Sequence, residues 1–365
     1  MIPLCVPKIK GNEWKYVKEC LDTNWVSSAG AFVDRFEDEF AKYMDVKRAV
    51  VTMNGTSALE LALRTLNIGY GDEVIVSSMT FISPVNTIKY VGAEPVFVDV
   101  CRDTWVMDAD KIEDLITPKT KAIMPVHIYG HPVDMDKILD IANRHNLYVI
   151  EDATESLAAE YKGKKVGSIS HIGCFSFNGN KLITTGAGGM LVTDDERLGK
   201  RAKYLSTQTK TVLPNGGFYH NEIGYNFRMP NLLAAVGCAQ LENIDEYSSI
   251  KRNNANLYNE LLSNVNGITL PVERNNVKNI YWLYSILIED SYGITRDELI
   301  DKLKKNGIQS RPFFMPVHRM PPYQGCRTGN MDVTGDIVER GINLPSSVGL
   351  SKNEIKQVCD VIKNN

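Results

Sequence analysis

Lys181 lies in the stretch FSFNGNKLITTGAGGM, Phe175 to Met190, between a Gly-Asn pair and a threonine-glycine run. The segment reads as a strand, a tight turn and a second strand, so the turn holds the amine at a fixed place. A second stretch, LYVIEDATES, ends an apolar strand on Asp152, where a carboxylate is costly without a cationic partner. A third, MNGTSALEL, places Asn54, Gly55, Thr56 and Ser57 between a strand and a helix start. Backbone N–H groups and hydroxyls at such a start cradle a phosphate with help from the helix dipole. A plain N-cap is the competing reading of that stretch, and a structural strand-end aspartate is the competing reading of Asp152.

If the three meet in one cleft, an amine nucleophile, a carboxylate and a phosphate loop come together. That is the set pyridoxal 5'-phosphate requires: the lysine bonds the aldehyde, the carboxylate keeps the pyridine nitrogen protonated and the loop holds the phosphate. Other nucleotide-binding devices are missing. GxxxxGK[ST] occurs nowhere in the chain and no GxGxxG follows a strand, which counts against a Walker loop and a nicotinamide oxidoreductase.

The elements that must position these residues alternate between about Lys47 and Asp195. AVVTMNG, DEVIVSS, PVFVDV, KAIMPVHIYG and LYVIEDA read as strands, interleaved with helical patterns such as TSALELALRTLNI and DMDKILDIANRHN. Short, nearly all-apolar strands predict a mainly parallel sheet covered on both faces, whose ligands bind at the carboxyl ends of the strands. Beyond Glu242 a polar helix, the strand YWLYSILIED, the strand-like RPFF and two helices opened by capping boxes, Thr295 with Glu298 and Ser351 with Glu354, suggest a smaller α+β unit. The expected division is residues 1–242, an N-terminal arm and large cofactor-binding domain, and residues 243–365, a small C-terminal domain. At 365 residues two domains are the natural expectation.

Composition narrows the function classes. A net charge of -3 lacks the basic excess that nucleic-acid binding needs. No apolar run approaches the roughly 20 residues of a membrane span, and no signal peptide opens the chain. Seven scattered cysteines without a CxxC fit reduced thiols in the cytoplasm better than disulfides or a metal site.

In order and spacing the chain resembles the sugar aminotransferases of the fold type I pyridoxal-phosphate superfamily, the DegT/DnrJ/EryC1/StrS group. The likeness runs from GNEWKYVKECLDTNWVSSAGAFVDRFEDEF through NGTSALELAL, PVHIYGHPVDMD, VIEDATES, FSFNGNKLITTGAGGM and GYNFRM to RPFFMPVHRMPPY and GINLPS. TTGAGG departs from the more usual TTGEGG at Ala187.

The resemblance implies the following roles. Lys181 is the cofactor-bonding and proton-moving lysine and Asp152 the partner of the pyridine nitrogen. Glu155 falls near the ring hydroxyl, where relatives often carry Gln or His. Gly55, Thr56, Ser57 and Ser176 match the phosphate-binding stretches, and Phe81 matches an aromatic stacked on the ring. Asn226 reaches the phosphate site of a neighbouring subunit, which implies a homodimer with shared active sites. Arg228 meets an anionic group of donor or substrate, or a structural partner. His318 and Tyr323 face the sugar from the small domain, with a packed loop histidine as the alternative for His318. Trp14, Trp25, Trp105 and Trp282 read as packing residues, with Trp25 placed to line the entrance. His127 reads as structural.

The implied reaction is a two-stage transamination in which L-glutamate leaves its amine on the cofactor as pyridoxamine 5'-phosphate and a keto-sugar nucleotide then takes it. GNEWKY, PVHIYG, SRPFFMPVH with its following PPY, and RGINLPS are shared with the branch that makes GDP-perosamine for surface glycans such as lipopolysaccharide O-antigen. On that likeness the substrate is GDP-4-keto-6-deoxymannose. LSTQTK and FYHNEIGYNFRMPNL also resemble enzymes of UDP-2-acetamido-4-keto-6-deoxy sugars, so the bacillosamine- or legionaminic-type alternative stays open. Dehydrating relatives carry His in place of the lysine, and a non-catalytic sensor or scaffold would have no need of Lys181 and Asp152.

Overall fold

Short β-branched runs form the central sheet because both faces of each strand are covered. The computed structural model describes residues 1–364. Seven strands share one sheet: β1 (Arg48–Thr52), β2 (Glu73–Ser77), β3 (Glu94–Val98), β4 (Thr120–Met124), β5 (Tyr148–Asp152), β6 (Ile172–Ser176) and β7 (Gly189–Thr193). Their spatial order is β1-β7-β6-β5-β4-β2-β3. The pairings from β3 through β2, β4 and β5 to β6 are parallel, whereas β7 runs antiparallel to both β6 and β1. The other six strands therefore point one way, and the loops that leave their carboxyl ends gather along one edge of the sheet.

Helices α1 (Glu13–Asp22), α2 (Ala31–Met44), α3 (Gly55–Thr65), α4 (Ser83–Tyr90), α5 (Met135–His145), α6 (Glu196–Ser206) and α7 (Asn231–Leu241) belong to the same part of the chain. Helix α2 buttresses the strand that carries the lysine turn. Its Phe40 ring meets those of Phe175 and Phe177 at 5.2 and 5.5 Å, and Phe36 meets Phe177 at 5.2 Å. All four rings are buried, each contributing on the order of 2–3 kcal/mol. Gly237 of α7 permits the close approach, because a Cβ there would lie 2.6 Å from the Phe36 ring.

Helix α8 (Ile244–Leu262) joins two cores. Tyr247 belongs to the core around the large sheet, while Ala255, Tyr258 and Leu262 belong to a second core. That second core backs an antiparallel sheet of β8 (Ile268–Thr269), β9 (Tyr284–Ile288), β10 (Arg311–Pro312) and β11 (Gly341–Leu344) in the order β8-β9-β11-β10. Of the expected strand RPFF only Arg311 and Pro312 pair, because Phe313 turns inward onto Trp105 and Tyr129. The chain's start docks here as well, through a bridge between Ile2 and Ile308.

Helices α9 (Arg296–Lys305), α10 (Asp332–Arg340) and α11 (Lys352–Lys363) complete the chain. Both expected capping boxes are present, Thr295 with Glu298 and Ser351 with Glu354. Replacing Ser351 by Ala is expected to lower the unfolding free energy by about 1 kcal/mol, read from urea unfolding, because the Glu354 N–H loses its acceptor.

Candidate active site

The loops at the strand ends enclose a cavity of about 490 Å³, within the range of small-ligand sites. Its wall includes Gly55 and Thr56 after β1, Phe81 after β2, Asp152 and Glu155 at the end of β5, Ser176 at the end of β6, and Lys181. Six of these seven come from strand ends, which explains how stretches 130 residues apart in sequence share one space.

At one end α3 begins. Asn54 caps it, accepting from the Ser57 N–H at 2.8 Å, and the Thr56 hydroxyl lies 2.9 Å from that of Ser83. The cap is therefore present: Ser57 gives its N–H to it and lies outside the lining, while Gly55 and Thr56 face the cavity. Two glycines make this packing possible. A Cβ on Gly55 would fall 2.9 Å from that of Ser176, and one on Gly189 would fall 2.4 Å from the Asn54 carbonyl oxygen.

Strand β5 ends in two adjacent carboxylates with opposite surroundings, since successive strand residues point to opposite faces, and only Asp152 lines the cavity. Glu151 is satisfied. It accepts from the N–H groups of Gly167, Ile169 and Ser170 at 2.6–2.9 Å and from His127 Nε2 at 3.1 Å. His127 is structural, as expected: its Nδ1 accepts from the Val133 N–H, which leaves Nε2–H to donate to Glu151. Asp152 is 2% exposed and accepts from the Thr154 N–H at 3.1 Å. Among the described residues no cation lies within 4.0 Å of it, and burial pushes its carboxyl up.

Glu155 accepts from the Tyr129 N–H at 2.9 Å and lies 3.9 Å from the Lys181 amine, beyond hydrogen-bond reach. Burial pushes its carboxyl up to about 7, against the attraction of Lys181. Burial likewise pulls the Lys181 ammonium below the ordinary lysine range. The amine is thus neutral more often than a surface lysine's, which suits a nucleophile.

Among the lining residues that sequence reasoning did not assign to the cavity are Arg311, Phe314, Asn180 and Trp282. Arg311 sits in SRPFF, where an arginine beside aromatics was the available signal. Trp282 packs in the core as expected, and it also places its ring centre 3.8 Å from the Lys181 amine. Phe81 remains half-exposed, its ring edge-on to Phe314 at 5.8 Å.

Other expected site residues lie elsewhere in the chain. His318 and Tyr323 do not face the cavity. The His318 ring packs behind the sheet with Nδ1 2.7 Å from the Ser78 hydroxyl, and Tyr323 is buried against Phe97 with its hydroxyl donating to Asn86. Trp25 is exposed, with its carbonyl accepting from Asn231. Asn226 is exposed and bridges to Thr207, and Arg228 Nε is buried with no hydrogen-bond partner among the described residues.

The residues present fit pyridoxal phosphate. Asp152 is a buried carboxylate in want of a cation, Asn180 Oδ1 is a buried acceptor without a donor, and the start of α3 directs N–H groups into the opposite end of the same cavity.

Comparison with known proteins agrees. Residues 7–363 match the model of the DegT/DnrJ/EryC1/StrS aminotransferase family. GDP-perosamine synthase of Caulobacter vibrioides is 45% identical over 98% of this chain and 96% of its own length. That of Escherichia coli O157:H7 is 45% identical over 99% and 97%. The pyridoxal-phosphate form of a protein described as a sugar aminotransferase from Streptococcus pneumoniae superposes with a TM-score of 0.93 at 28% identity, covering 100% of this chain and 98% of that one. The chain belongs to the DegT/DnrJ/EryC1/StrS aminotransferase family.

Glu155 gives the site a pH signature in the cofactor-free protein. Its carboxyl titrates higher folded than unfolded, so the folded state holds the extra proton and stability falls as pH rises from the ordinary carboxylate value to about 7. Glu155→Gln removes that loss. Urea unfolding at about pH 5 and about pH 8 is expected to show the variant gaining about 2–3 kcal/mol on the wild type between the two. A constant difference would mean that the carboxyl is not raised.

Proposed function

We propose that this aminotransferase moves the amino group of L-glutamate to C4 of a 4-keto-6-deoxy nucleotide sugar, converting GDP-4-keto-6-deoxymannose to GDP-perosamine for a surface glycan. Its cofactor is pyridoxal 5'-phosphate. One observation carries the reading: a single cavity holds an amine at Lys181, an unpaired buried carboxylate at Asp152 and the start of α3. Identity of 45% over nearly the whole length of two GDP-perosamine synthases supports the GDP sugar over the UDP-2-acetamido alternative.

When bound, the cofactor supplies an aldehyde to hold the amine and a ring that takes up the electron pair left when a proton departs from carbon. The chain supplies the rest. Gly55 and Thr56 offer N–H groups and a hydroxyl to the phosphate, joined by the Ser176 hydroxyl, and Ser57 supports them from the cap. Asp152 holds a proton on the ring nitrogen, because a cation facing it offsets the cost that burial puts on its charge. Phe81 covers a ring face. Lys181 anchors the cofactor, and its freed Nζ carries the proton between donor and cofactor carbons. Glu155, with its carboxyl near 7, holds or gives a proton close to that amine.

Residues 1–242 are the cofactor-holding unit in this reading and residues 243–365 the smaller one, whose Trp282, Arg311 and Phe314 close the cavity. Two copies share their sites. Asn226, exposed outside its own chain's cavity, reaches the partner's phosphate end, and Arg228, whose buried Nε has no hydrogen-bond partner among the described residues, finds an anion there. Exposed Phe218, Tyr219 and Ile223 near them, with Trp14 and Trp25 of the arm, are available to the contact. Trp25 then lies at the entrance as expected from sequence. The enzyme works in the cytoplasm, where seven unpaired cysteines remain reduced. No described helix is long and apolar enough to cross a membrane.

The visible absorption of the reconstituted protein tests this. Excess L-glutamate is expected to abolish the yellow band, and GDP-4-keto-6-deoxymannose to restore it at least about ten times more effectively per unit concentration than the UDP-2-acetamido sugar. Lys181→Ala is expected to lower the rate of the glutamate step by at least about a thousand-fold. Restoration by the UDP sugar alone would overturn the substrate, and an unreactive band would overturn the donor.

A further inference from the structure

The Lys181 amine makes no hydrogen bond to any described residue. Its nearest anion is the Glu155 carboxylate at 3.9 Å, and its closest aromatic contact is the face of the Trp282 ring, 3.8 Å from the ring centre. That ring is itself tied to the lysine turn. The indole N–H donates to the carbonyl of Asn180, the residue before the lysine, at 2.7 Å, and the Cys5 thiol donates to the same oxygen at 3.1 Å.

The backbone of Trp282 is fixed with equal care. Its carbonyl accepts from Lys251 Nζ at 2.6 Å, an ammonium 3% exposed that also donates to the Ser346 carbonyl and has no carboxylate within 4.0 Å among the described residues. A buried lysine without a counter-ion is expensive to keep, so its two carbonyl contacts call for a reason. Just before Trp282, Tyr281 holds a left-handed φ of 48°, a conformation uncommon for an aromatic, with its N–H donating to Asn279. Strain and an unpaired charge thus converge on the orientation of one indole.

An aromatic face attracts an ammonium without fixing any of its protons in a directed hydrogen bond. A carboxylate at hydrogen-bond distance would hold the same amine by its protons. A lysine that must take and release a proton repeatedly benefits from the first arrangement. We propose that Trp282 is a positioning residue whose indole face holds the free Lys181 amine between proton transfers, and that Lys251 sets that face in place. This rests on the aminotransferase reading given above.

Two measurements test it. The first uses the cofactor-free protein and needs no turnover. Indole emission is expected to change in one step as the Lys181 amine titrates, below the ordinary lysine range, with Glu155, Asp152 and Cys5 the other titratable groups facing that amine. The step should vanish in Lys181→Met and in Trp282→Phe. A step that persists in Lys181→Met, or a flat wild-type curve, overturns the proposal.

The second uses the loaded enzyme. Trp282→Phe and Trp282→Tyr, each with a smaller ring than indole, should lower kcat for the glutamate step by about ten-fold, with KM within about two-fold. The isotope effect from α-deuterated glutamate should rise, and Lys251→Met should give a weaker form of the same change. An unchanged kcat and isotope effect in a Trp282 variant overturns the proposal. A wild type that ignores glutamate would fail the function reading instead, and the emission titration would still decide this one.

Discussion

A buried carboxylate with no cation beside it is the constraint on which this structure turns. Asp152 ends a strand in the centre of the sheet, 2% exposed, with a backbone N–H as its partner and no positive charge within 4.0 Å among the described residues. Its neighbour Glu151, equally buried, accepts four hydrogen bonds and asks for nothing more. The contrast separates an acid whose hydrogen bonds the fold meets from one that faces the cavity. A protein tolerates such a group where something cationic occupies the space before it, and a protonated pyridine nitrogen meets that need.

The rest of the site follows from where the strands end. With β7 alone reversed, the loops after β1, β2, β5 and β6 meet at one edge, bringing a helix start, an aromatic, two acids and a hydroxyl around one cavity. Glycines at 55 and 189 let the α3 cap approach Ser176 and the lysine turn without a side chain between them. Burial then sets the chemistry. It lowers the Lys181 ammonium and raises the Glu155 carboxyl to about 7, so the pair holds less opposed charge at neutral pH than its residue types suggest.

Features carried by local sequence were legible, and those made by distant contacts were not. The strand ending on Asp152 and both capping boxes involve partners a few residues apart, and each is present, whereas the two strands flanking Lys181 are joined by twelve residues, 177–188, rather than by a tight turn. The placement of His318 depends on Ser78, 240 residues earlier, and that of Tyr323 on Asn86 and Phe97; sequence patterns do not reach that far. Trp282 was hidden for the same reason, since its hydrogen bond goes to Asn180, 102 residues away. Asn226 was placed by resemblance at a neighbouring subunit, a relation that a single chain does not display.

The claim that Lys181 carries the cofactor is tested most directly by chemical trapping. The protein reconstituted with pyridoxal phosphate is reduced with borohydride, digested and analysed by mass spectrometry. The account requires the reduced cofactor on the peptide that contains Lys181, and on no other lysine in comparable amount. Trapping at a different lysine, or none, would contradict it.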